Sequence, residues 1–203
     1  MLLYVIPYNT SAGILAAEFE VRRHPAGLRY LVLTNSLPDM GLWNQSNMQL
    51  AATLPKEVQE GLASPDPKVS ASATREFFST YGTRVRPLPT DYVYSLEQAI
   101  GDNADRTVPG AMYVCHHSTT AFVLITGRFS GELKEWSIID RLHTIRPPTL
   151  VINARHDVAQ DFVTAPFFKH IPRVKWITFE SCHLPLWDER ERYNKVLQQF
   201  LDM

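Results

Sequence analysis

The stretch LLYVIPYNTSAGILAAEFEVRRHPAGLRYLVLT, residues 2–34, decides the fold. Leu2–Ile6 is a continuous apolar run, the pattern of a strand covered on both faces. Pro7-Tyr8-Asn9-Thr10-Ser11 turns the chain. Residues 12–24 then place Ile14, Leu15, Ala17, Phe19 and Val21 at helical spacing, ending at Pro25 and Gly27. Leu28–Thr34 is a second apolar run of strand length. A strand, a tight turn, a helix and another strand make a βαβ unit, which requires a parallel sheet.

Further along the chain the pattern changes and then returns. Between residues 36 and 136 Asn, Ser, Pro and Gln become frequent, and apolar spacing turns helical over 42–54, 57–62, 70–81 and 91–100. Pro55, Pro65, Pro67, Pro87 and Pro89 punctuate these pieces. Residues 110–131 read either way, with 122–125 as a strand or the start of a helix. The strand–helix rhythm resumes at residues 149–153 (TLVIN), preceded by Pro147 and Pro148. A partly helical segment follows over 162–170, and then the strand Val174–Phe179 (VKWITF). Residues 187–201 alternate apolar and charged side chains as one helix, with Asp188, Glu189 and Glu191 favourable in its first turn. The expected architecture is α/β: a sheet domain formed by 1–35 and 137–203, interrupted by a helical lobe at 36–136.

Bulk properties narrow the functional classes. The chain has 203 residues, 45% hydrophobic and 20% charged, enough apolar content to fill a core. A formal net charge of −1 gives no electrostatic basis for nucleic acid or an anionic membrane as partner. Cys115 and Cys182 are too few for a disulfide framework, and neither lies in a metal-binding cluster. The apolar start is short, lacks a basic leader and is interrupted by Pro7, so neither a signal peptide nor a membrane span is expected. A cytoplasmic protein is expected.

In an open parallel sheet, reactive groups gather just past the C-terminal ends of strands. Three such positions stand out. After TLVIN comes Ala154-Arg155-His156-Asp157, whose carboxylate suits a helix cap or loop or, in the functional reading, the orientation of an imidazole. After VKWITF comes Glu180-Ser181-Cys182-His183, a histidine placed as a general base. After Leu2–Ile6 comes Tyr8-Asn9-Thr10-Ser11-Ala12, where a nucleophile turn of the G-x-S-x-G kind would fall, with Thr10 in the serine position and neither flanking glycine. Nucleophile, then Asp, then His is the chain order used by the α/β-hydrolase fold.

With these positions in view, residues 13–36 (GILAAEFEVRRHPAGLRYLVLTNS), 133–142 (LKEWSIIDRL), 148–153 (PTLVIN) and 183–193 (HLPLWDERERY) resemble fungal proline iminopeptidase-like hydrolases. The resemblance runs from about residue 13 to the C-terminus and is loosest in the helical lobe. It implies a partial α/β-hydrolase fold, with a parallel sheet and an inserted helical cap lobe. It also implies a serine hydrolase that releases N-terminal proline or a similar residue from peptides or amides, without cofactor or metal. Carried over by position, Asp157 is the triad acid, His183 the base, Thr10 the nucleophile and Ser11 a backbone oxyanion donor, with Trp136 at the junction of lobe and sheet.

The sequence also departs from the family. The family's G-x-S-W-G-G reads Tyr8-Asn9-Thr10-Ser11-Ala12-Gly13, keeping only the last glycine. Ala121 stands where an acidic residue meets the substrate amine, and Val158 where some members place Glu. Family members begin with further strands and a glycine-rich loop supplying a second oxyanion donor. Loss of one such donor costs roughly 100–1000-fold in turnover, so little or no activity is expected of this chain. The alternatives are a catalytically inactive relative that binds a partner, or an esterase or amidase of altered specificity. The missing strands also make Leu2–Ile6 an expected sheet edge, open to self-association.

Overall fold

A computed structural model describes residues 2–6, 10–101 and 133–203, with side chains described from residue 13 onward within those segments. The ambiguous stretch 110–131, with Cys115 and Ala121, lies outside the described residues. The chain divides into two compact units, Met1–Asp39 with Ser137–Met203, and Met40–Trp136.

The first unit holds a four-stranded sheet in the order β1-β2-β3-β4, formed by Leu2–Ile6, Leu28–Thr34, Thr149–Ala154 and Val174–Phe179. All three pairings are parallel. Every residue of β3 is buried, the result of placing an apolar run between two layers. Alternation along β3 separates those layers. Leu150, Ile152 and Ala154 face a cluster with Val32, Phe179, Tyr193 and Phe200, the last two from α8 (Arg190–Leu201). Asn153 points to the opposite face and meets Asp161, the first residue of α6 (Asp161–His170). Among the described strands β1 pairs with β2 alone.

Helix α1 spans Thr10–Arg23, starting two residues before the expected position and ending with His24 in left-handed backbone (φ 42°). Glu18 on α1 takes both guanidinium nitrogens of Arg141 at 3.0 Å, tying the helix to the 3-10 turn Ile139–Thr144. Gly13 lets α1 approach the tip of β2. A Cβ built there would stand 2.0 Å from Ser36 Oγ and 2.5 Å from Ser36 Cβ, with Ser36 itself buried. Alanine gains up to about 1 kcal/mol in helix propensity over glycine, but overpacking a closed contact costs about 1–3 kcal/mol. Gly13→Ala is therefore expected to lower the urea midpoint. Adding Ser36→Gly, which removes both clashing atoms, should recover the loss, whereas Ser36→Ala should not, because its Cβ remains.

The second unit contains α2 (Met40–Ala51), α3 (Lys56–Leu62), α4 (Pro67–Tyr81) and α5 (Thr90–Ile100). Pro67 opens α4 three residues earlier than expected, because a proline at the first helical position forfeits no helical hydrogen bond. The Asp66 carboxylate caps that turn, accepting from the Lys68 N–H at 2.8 Å. Arg75 and Glu97 form a two-point ion pair between α4 and α5 at 2.8 and 2.9 Å. The two ends of this unit meet, the Met40 N–H donating to the Trp136 carbonyl at 3.0 Å. In the first unit the adjoining residues Asp39 and Ser137 form an antiparallel bridge.

One element differs in kind from expectation. The single helix over 187–201 is two helices, α7 (Pro185–Asp188) and α8, separated by Glu189 in non-helical backbone (φ −133°, ψ 49°). Of the three acidic residues expected in one first turn, only Glu191 lies in the first turn of α8. Asp188 has another use, described below.

Candidate active site

Because the sheet is parallel, the C-terminal ends of all four strands share one edge. Thr10 and Ser11 begin α1, the helix that follows β1, and their side chains lie outside the described ones. Asp157 follows β3 and His183 follows β4, neighbouring strands in register from Thr149↔Val174 to Ala154↔Phe179. The ladder continues into both loops: the Arg155 N–H donates to the Phe179 carbonyl at 2.9 Å, and the His156 N–H to the Ser181 carbonyl at 3.1 Å. The two side chains meet where this extension ends. His183 Nδ1 lies 2.6 Å from Asp157 Oδ1.

The protonation pattern follows from the partners. An ionised carboxylate only accepts, so Nδ1 carries the hydrogen and, in the neutral ring, Nε2 is the basic nitrogen. The Asp157 side chain is fully buried, while that of His183 keeps 16% of its exposure, so the ring remains within reach of solvent. Burial lowers the tendency of the imidazole to charge, but the Asp157 charge and hydrogen bond outweigh it and hold His183 above its usual 6.5.

This shift has opposite consequences for stability and for base chemistry. A folded-state pKa above the unfolded one means that the charged pair stabilises the protein fully below about 6.5, and that this contribution is lost as pH rises through the raised value. An imidazole acting as a base must be neutral, so turnover should rise over the same interval. The urea midpoint of the wild type, taken relative to that of Asp157→Asn, is expected to fall as pH increases from about 6 to 9. A difference between the two that stays constant across this range would contradict the pairing.

Three further residues build the site, and the sequence reading assigned none of them to it. Asp188 Oδ2 accepts the Cys182 N–H at 3.0 Å, bracing the His183 loop from α7. Asn153, fully buried in β3, accepts from Trp176 Nε1 at 2.7 Å and Thr178 Oγ1 at 2.8 Å, and donates to Asp161 Oδ1 at 2.6 Å. Asn35, just past β2, donates its amide to the His183 carbonyl at 2.5 Å and more weakly to that of Cys182 at 3.4 Å. The available signals were small: one polar residue inside an apolar strand, and one Asn directly after another. Asp188 offered none. The exposed Arg155–Glu180 pair at the same edge adds little. Among the described residues no group of three or more His, Cys, Asp or Glu is placed to hold a metal ion, and no helix is long and apolar enough to cross a membrane.

Comparison with known proteins bears on the sequence and the fold. No family model matches the chain. The proline iminopeptidase of Clostridium botulinum is 24% identical over 195 residues, 94% of this chain and 63% of that protein. The proline iminopeptidase of Thermoplasma volcanium is 25% identical over 202 residues, 96% of this chain and 63% of that protein. Thus the chain spans 63% of the length of each of these relatives. The crystal structure of VinJ superposes with a TM-score of 0.79 at 30% identity, covering 96% of this chain and 64% of that one. The crystal structure of proline iminopeptidase from Mycobacterium smegmatis gives 0.74 at 32% identity, covering 94% and 62%. The chain is similar in sequence to proline iminopeptidases, and its fold is that of an α/β hydrolase in part. The α/β-hydrolase sheet explains why Asp157 and His183 come from adjacent strand tips and why α1 begins beside the same edge.

Proposed function

We propose that the protein carries out acyl transfer of the proline iminopeptidase kind, releasing N-terminal proline or a similar residue from peptides or amides. The observation that carries this reading is the 2.6 Å contact between His183 Nδ1 and buried Asp157 at the C-terminal edge of a parallel sheet. In this reading Asp157 fixes the imidazole tautomer, and His183 Nε2 takes the proton of the Thr10 hydroxyl as Oγ1 attacks the scissile carbonyl. The Ser11 N–H, in the first turn of α1, donates to the oxyanion with the positive end of the helix behind it. The proton then passes to the leaving amine, and water, activated by the same imidazole, cleaves the acyl ester. The threonine methyl and the missing glycines of the turn hold the rate low.

A second reading, an ester or neutral amide as substrate, is favoured by Val158. This apolar residue next to Asp157 is 1% exposed and offers no countercharge to a free amine. The test is turnover of a fluorogenic prolyl arylamide by the purified chain, alongside an aryl ester and with His183→Ala as control. Activity on neither substrate, or activity indifferent to His183, would remove the enzymatic reading and leave a hydrolase-derived binding protein.

A further inference from the structure

The His183 loop leaves β4, yet it is anchored to β2. Strands stand about 4.8 Å apart, so the tip of β4 lies roughly 14 Å from that of β1, where α1 begins, too far for an imidazole to serve a group on that turn. Asn35 spans the gap. It follows β2, its own N–H donating to the Ile152 carbonyl of β3 at 2.8 Å, and its side-chain amide holds the His183 carbonyl at 2.5 Å. Carbonyl oxygens cannot donate, so the NH₂ of Asn35 must face the loop, leaving Oδ1 buried and without a hydrogen-bond partner among the described residues.

Asn35 also sits in left-handed backbone, φ 47°, and is 2% exposed. Were the position only a turn, glycine would meet that φ without strain and without an orphaned acceptor. The residue tolerates both costs while its amide grips the histidine loop. We propose that Asn35 is a positioning residue that draws the His183 loop across the tip of β3 to β2, and so sets the imidazole against Asp157 and towards the start of α1. This deepens the hydrolase reading, since it takes His183 as the base, but it makes a structural claim that can be tested without turnover.

The decisive variant is Asn35→Gly, which keeps the backbone conformation and deletes the amide. In the wild type, the shared Nδ1 proton of His183 should give a strongly deshielded proton resonance, and the ring should titrate above 6.5. The groups around the loop, Asp157 on the β3 side, Asp188 on α7 and the exposed Arg155–Glu180 pair, are unchanged in the variant. Asn35→Gly is expected to lose the resonance and return the titration towards 6.5 while its circular dichroism stays that of a folded protein. In a Cys115→Ser background, buried Cys182 should react about tenfold faster with a thiol reagent, the effect of losing one such hydrogen bond. Asn35→Asp, equally suited to left-handed backbone but unable to donate to a carbonyl, should show the same faster labelling and serves where the glycine variant does not fold. A folded Asn35→Gly protein with resonance, titration and labelling unchanged would overturn the proposal. A wild-type His183 that titrates at its ordinary value would instead refute the Asp157–His183 pair, and both readings with it.

Discussion

Turnover of a prolyl arylamide is expected to fall about 10⁴-fold, or to background, when His183 is replaced by alanine, because a hydroxyl nucleophile without its base is almost entirely protonated at neutral pH. The Nδ1 side of the ring is committed to Asp157 at 2.6 Å, and Asp157 is fully buried behind it. Asp157→Asn should lose nearly as much activity by a different route, since a carboxamide neither stabilises the imidazolium nor enforces the tautomer protonated at Nδ1. The two variants should separate in their titration: His183 in Asp157→Asn should lose the upward pull of the carboxylate. A His183→Ala protein that retains wild-type kcat/KM would show that the reaction runs elsewhere in the molecule.

Replacing Asn153 by alanine is expected to destabilise the protein by about 3 kcal/mol, the cost of stranding several partly buried polar partners, read as a lower urea midpoint at unchanged slope. Asn153 is wholly enclosed and serves Trp176 Nε1, Thr178 Oγ1 and Asp161 Oδ1 together. Against a total stability of about 5–15 kcal/mol for an ordinary domain, such a loss is large. Asn153→Asp should not rescue it. The carboxylate would still accept from Trp176 and Thr178 but would face the Asp161 carboxylate with no donor between them. An alanine variant within about 0.5 kcal/mol of wild type, the range of an ordinary surface change, would mean that water replaces the side chain.

Much of the sheet was legible because the strands of a parallel sheet read as short, mostly apolar runs. Leu2–Ile6, Leu28–Thr34 and Val174–Phe179 begin and end where those runs do, and β3 extends one residue beyond its run, to Ala154. The nearness of Asp157 and His183 was legible for the same reason: consecutive runs with a short helix between them become adjacent strands, and their tips follow. The features that were not legible depend on contacts between residues far apart in sequence. Nothing local to Asn35 announces a carbonyl 148 positions away. Nothing in the smooth amphipathic pattern of residues 187–201 announces a break at Glu189, because Asp188 turns back to hold Cys182, a tertiary demand that helical periodicity does not register.

The bridge between Asp39 and Ser137, continued by the hydrogen bond from Met40 to Trp136, makes the long excursion between β2 and β3 close on itself. Seen from the sheet, that excursion is a pair of attachment points about 5 Å apart, the Cα spacing of bridged antiparallel residues. The entropy of joining two such points grows only with the logarithm of what is threaded between them. Segments of very different length or sequence can therefore be exchanged at this gateway while the arrangement of Asn35, Asp157 and His183 stays intact.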